Sequence, residues 1–256
     1  KPDTELDKEA RKRGTSVYLA NKVIPMLPEK ISNEICSLEP KKNKRAFSII
    51  FTIDKKGNVL KERAARTTIY SDYRLTYSDV QNIIENNKEG KKKYKEIETA
   101  IINLNKISKK IRKKREERGA IFFNKKEVGF KFKGDKIEAT FLKESKESHK
   151  LVEEFMLLTN IEVAQKLKKK AIFRVHAKPD EKKVENLFSV AESFGHIKLN
   201  KKNSIGKQIN NLLSEAKDKK ESNIINLLAL RSMSKAEYST KNTGHHGLSL
   251  TRYLHF

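Results

Sequence analysis

The segment from His149 to Lys170 constrains the fold of this chain more than any other. Its apolar residues, Leu151, Val152, Phe155, Met156, Leu157, Leu158, Ile161, Val163 and Leu167, fall on most faces of a helix rather than on one stripe. A helix that is apolar nearly all round has to be enclosed, so the rest of the chain is expected to wrap it. Two adjacent carboxylates, Glu153 and Glu154, interrupt the run. Glu153 lies between Leu151–Val152 and Phe155–Met156, so it is expected to be buried and therefore hydrogen-bonded. A backbone group or a basic side chain could supply the donor, and so could the 2′-hydroxyl of a ribose. Glu154 takes its place if the helix is rotated.

Elements of both kinds surround this helix. Residues 4–13 read as a charged helix, and Pro25 and Pro28 forbid one long helix through GTSVYLANKVIPMLPEKIS. Alternation from Phe47 to Ile53 predicts a strand, Asp54–Asn58 a hairpin turn with Gly57 able to take positive φ, and Val59–Ile69 the returning strand. Thr76–Asp79 precede a helix as hydroxyl or Asp cap. From Lys91 to Arg118 apolar residues at Tyr94, Ile97, Ile101, Leu104, Ile107 and Ile111 recur at three and four, and Gly119 stands where such a helix ends. IFFNKKEVGFKF and IEATF, split by Gly134–Asp135, read as hairpin strands. AIFRVHAKPD reads as a short strand, EKKVENLFSVAESFG as a helix ended by Gly195, and Ile205–Arg231 as helical. No repeat and no linker divides the chain. The expectation is one α+β body over residues 1–256, with antiparallel hairpins and packed helices.

Charge narrows the partners. The formal charge is +24, which favours a polyanion. Of the basic residues only 12 are arginine, a Lys-rich profile that an AT-rich genome also produces whatever the function. The surplus is nonetheless clumped: Lys106, Lys109, Lys110, Arg112, Lys113, Lys114 and Arg115 carry no acid among them, and Lys41–Arg45 and Lys168–Lys170 repeat the pattern. Such runs serve either as solvated faces or as a nucleic-acid footprint.

Catalytic signatures are scarce. No glycine-rich phosphate cradle occurs, and the six histidines show no H-E-x-x-H spacing. His245 and His246 are adjacent, so they point apart and suit a structural loop better than a metal site. Asp54, Asp72, Asp79, Asp135, Asp180 and Asp218 are scattered singly, whereas two-metal phosphodiester hydrolysis needs converging carboxylates. The single cysteine, Cys36, excludes an intrachain disulfide framework. No targeting segment or membrane span is legible, so a cytoplasmic protein is expected, with no membrane partner. The chain opens at Lys1 rather than Met, and further N-terminal residues are expected.

Seven segments together resemble the RNB-type 3′→5′ exoribonucleases, the ribonuclease II and ribonuclease R family, and its ribonuclease R branch most. They are LDKEARKRGTSVYL, KVIPMLPEKISNEICSLEP, RLTYSDVQ, ERGAIFF, HKLVEEFMLLTNIEVAQKL, AIFRVHAKP and LRSMSKAEYSTKNTGHHGLSLTRYLHF, in the family's order. IPMLP followed by ICSLEP, and the GH-x-GL…Y-x-HF ending, are its most specific parts. The resemblance implies the central part of an RNB catalytic domain, incomplete at both ends. It implies hydrolysis of single-stranded RNA from the 3′ end with release of 5′-mononucleotides, assisted by Mg²⁺. It also implies that the metal-binding aspartates lie upstream of Lys1 and the catalytic arginine just beyond His255–Phe256, so no catalytic or metal residue is expected within the chain.

RNA-binding residues are implied as well. Tyr18 matches an aromatic that stacks on a base, and Phe123 is the closest match to its clamp partner, in a strand after RGA. Tyr77 and Glu153 match residues that hold the 3′-terminal nucleotides. His245 and Tyr253 border the loop that leads to the catalytic arginine, where they contact RNA or support groups that do. The implied partner is single-stranded RNA, with ribosomes or a degradation complex as further associates. Two other readings remain open: an RNB-like protein that binds RNA without cutting it, and a basic ribosome- or RNA-associated structural protein.

Overall fold

Strands in the described part of this chain pair two at a time, never in a larger sheet. The computed structural model describes residues 1–87, 93–123, 127–167, 171–196 and 203–255. Helices and two-stranded antiparallel hairpins alternate along it, which is the α+β class that the sequence predicts. They separate into two compact units.

The first unit comprises Lys1–Phe51, Lys61–Asp79 and Lys126–Glu144. Its first helix, α1 (Glu5–Arg13), starts at Thr4, whose side chain accepts from the Asp7 amide, and an Asp7–Arg11 ion pair at 3.0 Å spans one turn. Strands β1 (Val17–Tyr18) and β2 (Val23–Ile24) form a short hairpin with Tyr18 opposite Val23. Pro25 and Pro28 then end extended pairing, and a single wide helical turn covers Lys30–Ile35. Strands β3 (Asn43–Ile53) and β4 (Val59–Tyr70) form the long hairpin, with the Ser48 and Thr67 hydroxyls bonded across it at 2.7 Å. Only the start of helix α2 (Tyr77–Ile84) belongs to this unit, the helix from Val80 on belonging to the second; it opens on a reciprocal cap in which the Asp79 amide donates to Thr76 and the Thr76 amide to Asp79. Strands β5 (Glu127–Lys133) and β6 (Lys136–Lys143) complete the unit.

The second unit comprises Thr52–Leu60, Val80–Lys125 and Ser145–Phe256. The β3–β4 turn belongs here: Asp54 Oδ1 accepts from the Lys56 and Asn58 amides. Gly57, at φ 78°, lies against Lys110 and Ile111 of helix α3 (Lys95–Arg118), where a β-carbon would be 3.2 Å from the Lys110 side chain. Helix α4 (Glu147–Lys166) packs along α3. Helices α5 (Glu181–Ser193), α6 (Ile205–Glu215) and α7 (Ser222–Ser232) close around Leu187, Ile209 and Ile225, with Ile121 inserted among them. Strands β7 (Phe173–His176) and β8 (Ala236–Ser239) pair beside a smaller cluster of Ala164, Phe173 and Leu254, which ties the end of α4 to the C-terminal loop.

Three expectations need correction. Ile205–Arg231 is two helices, because the charged run Lys217–Glu221 offers no apolar position and Asp218 turns the chain at φ 64°. Ile121–Phe123 is irregular rather than a strand. Its polar groups bond elsewhere: Ile121 N donates to Gly247 O, Phe122 N to Asn210 Oδ1, and Asn210 Nδ2 to Ala120 O. Finally, α4 is not enclosed all round by the described residues. Leu151, Glu154, Leu157, Leu158 and Ala164 are buried, while Val152, Glu153 and Met156 share an exposed face. Lys91, Lys92, Asn124–Lys126, Lys168–Lys170 and Phe256 lie outside the described residues.

Candidate nucleic-acid interface

The basic run on α3 is not a uniform solvated face. Arg115 falls four positions after Ile111 and is buried, 6% exposed, as are Asn105 and Ser108, whereas the apolar residues of the helix are half-buried or exposed. Its guanidinium donates to Glu154 at 2.6 Å and to Glu153 at 3.1 Å, both through Nη2. The guanidinium carbon also lies 4.4 Å from the centre of the Phe122 ring. Arg112 adds contacts at 3.4 Å to Glu154 and to Glu147. Two of the strongest cations are therefore committed inside the unit. Lys106, Lys109 and Lys110 remain exposed. The Lys41–Arg45 run is likewise partly engaged, since Lys42 and Lys44 pair with Glu39.

The Arg115 geometry corrects the expectation for Glu153. Its side chain is 47% exposed, whereas that of Glu154 is 1% exposed, so the buried carboxylate is Glu154. Glu154 is neutralised by two arginines, the basic-side-chain alternative. Glu153 reaches solvent, with one oxygen held by Arg115.

His245 sits on a loop whose polar groups fix its ring. Leu248 N donates to His245 Nδ1, and Gly247 N to His176 Nδ1. The two imidazoles stack at 5.0 Å, and Tyr253 meets His245 edge-on at 5.4 Å. Both accepting nitrogens are unprotonated in this arrangement. Burial, with His176 and Arg174 nearby, pushes the His245 pKa down to about 4 from 6.5. Its folded pKa lies below the unfolded one, so the associated stability is complete above about pH 6.5 and is lost as pH falls towards 4. Denaturation at pH 7.5 and 4.5 is expected to show a His245→Gln variant losing less stability than the parent, by on the order of 1–2 kcal/mol. Identical pH dependence would contradict this.

Of the six residues singled out for RNA, the structure exposes Tyr18 on β1, 77% accessible, and half-exposes Tyr77 at the start of α2. Both belong to the first unit. Phe123 is half-buried against the helical core, with one side towards a cavity of about 720 Å³. His176, Lys183, Arg231, Lys235 and His245 line the same cavity. Tyr253 is 3% exposed and takes a bond from Asn160 Nδ2, so it supports His245 rather than offering a face to a ligand. Arg115, His176 and Asn160 were not singled out from the sequence. Arg115 alone left a signal there, a cation on an apolar stripe.

Among the described residues no three His, Cys, Asp or Glu side chains converge on a metal-sized site. The one fully buried carboxylate among the described residues, Glu154, is already paired with arginine. These residues do not fit the Mg²⁺ that the resemblance implies. Among them, too, no helix is long and apolar enough to cross a membrane.

Comparison with known proteins matches this arrangement to one family. The RNB domain profile matches residues 1–256. Ribonuclease R of Escherichia coli (strain K12) is 35% identical over 260 residues, covering 100% of this chain and 32% of that protein. Ribonuclease R of Vibrio cholerae is 36% identical over 263 residues, again 100% and 32%. The apo form of Mycoplasma genitalium RNase R superposes with a TM-score of 0.87 at 26% identity, over 100% of this chain and 41% of that one. Its complex with ribose methylated single-stranded RNA gives 0.87 and 26%, over 99% and 40%. The yeast pseudonuclease Ssd1 shares the fold, with a TM-score of 0.71 at 19% identity over 100% of this chain and 32% of that one. The chain spans about a third of the length of the curated relatives named here. With a profile match from end to end and relatives above 30% identity, this chain belongs to the RNB domain family.

Proposed function

We propose that this chain is the RNA-holding central part of a hydrolytic 3′→5′ exoribonuclease that acts on single-stranded RNA and releases 5′-mononucleotides. The observation that carries the reading is the cavity that joins Phe123 and His245 to Lys183, Arg231 and Lys235. An aromatic face takes any base without sequence preference, and the cations suit the phosphates that follow it. Exposed Tyr18 offers a second stacking face, and Tyr77 and Glu153 offer groups for the terminal sugars. Family membership supports the same assignment, as does the RNA bound to the Mycoplasma genitalium relative. Mg²⁺, if held by ligands outside residues 1–256 together with the catalytic arginine, would supply an activated water and charge stabilisation for the leaving oxygen. The residues of this chain bind the strand, orient its 3′ end and distinguish ribose. The protein acts in the cytoplasm, with association to ribosomes or a degradation complex as a further element of the proposal.

Salt dependence of binding tests the RNA-holding role. For the whole protein and a single-stranded oligoribonucleotide, log affinity is expected to fall with log salt by about 0.7 per phosphate neutralised. A slope near zero would return the charge surplus to genome composition. A second reading is an RNB-like protein that binds RNA without cutting it. It predicts the same slope with no shortening of the RNA.

A further inference from the structure

We propose that Arg115 is a positioning residue for RNA recognition: from a buried site it holds the exposed Glu153 carboxylate in the orientation that meets the ribose. This rests on the reading of Glu153 as a sugar contact. A glutamate on an open helix face has three free torsions, and freezing them on each binding event costs affinity. Here the freezing is done in advance. Arg115 Nη2 bonds Glu153 Oε1 at 3.1 Å and Glu154 Oε1 at 2.6 Å. Glu154, itself fully buried, fixes the guanidinium from below, and the Phe122 ring covers its face at 4.4 Å. Arg115 can therefore not follow Glu153 into solvent, whereas Glu153 can be held by Arg115. Phe122 precedes Phe123, so the same guanidinium steadies the backbone that presents the stacking ring. One buried cation thus sets both a carboxylate that reads sugar and the irregular segment that carries a base contact.

A lysine would preserve the charge but not the arrangement. Its ammonium has donors for both carboxylates but no planar face to rest on the Phe122 ring and no rigid fork to fix their directions. The test uses the whole protein and measures affinity for matched RNA and DNA strands, with melting temperature beside it, for Arg115→Lys, Glu153→Ala and the double variant. Losing a bond to a charged group corresponds to about tenfold in affinity. Arg115→Lys is expected to narrow the RNA-to-DNA ratio about tenfold, Glu153→Ala to do the same, and the double variant to go no further. If Arg115→Lys fails to fold, the pair Arg115→Met with Glu154→Gln removes both buried charges together and frees Glu153 in the same way. An unchanged ratio in the Arg115 variants, beside a reduced one in Glu153→Ala, would overturn the positioning role alone, as would additive effects in the double variant. An unchanged ratio in Glu153→Ala would refute the sugar contact itself, and the positioning role with it.

Discussion

Replacing Glu154 by alanine is expected to destabilise the protein by about 3–5 kcal/mol, the cost of leaving a buried cation without its partner. Arg115 is 6% exposed and makes its shortest bond to Glu154. Arg112 would keep Glu147, but Arg115 would keep only Glu153, which is itself half in solvent. Glu153→Ala is expected to cost less than about 1 kcal/mol, since the exposed partner of an ion pair contributes little to stability. The two neighbours should therefore separate by several kcal/mol in denaturant midpoints, although they differ by one position in sequence. Equal losses would mean that the helix is rotated from the orientation described here.

The second large effect falls on binding rather than stability. Tyr18→Ala in the whole protein should weaken single-strand RNA binding by roughly 1–3 kcal/mol, the contribution of one base-stacking contact. Because Tyr18 is 77% exposed on a short hairpin, its removal should leave the melting temperature almost unchanged. The length of the final undegraded product should shift as well. Unchanged affinity with unchanged product length would remove Tyr18 from the RNA path. Phe123 makes a less clean test, because it packs against the helical core and its loss mixes folding with binding.

How far the sequence could be read is seen best in α3 and α4. The strict three-and-four spacing of α3 and Gly119 after it predict the helix and its end, and Gly119 does take a left-handed φ of 98°. On α4 the apolar residues surround the helix, so periodicity marks no inner face and cannot choose between Glu153 and Glu154. What chooses is Arg115, a partner 38 and 39 positions away, and no local pattern carries that information. The Ile121–Phe123 run fails for a related reason. Its β-prone residues suit a strand, but the side chain of Asn210 and the carbonyl of Gly247 satisfy its backbone first. Tyr18 and Tyr77 could be named through family resemblance alone, since an exposed tyrosine leaves no physical mark in a sequence.

A 5′-labelled single-stranded oligoribonucleotide followed with the whole protein and Mg²⁺, once with a free 3′ end and once with that end blocked, tests both the direction and the chemistry of degradation. The expected result is a ladder of products shortened progressively from the free 3′ end, release of 5′-mononucleotides, and protection of the blocked strand. Internal cuts, shortening from the 5′ end, or tight binding with no shortening at all would contradict it.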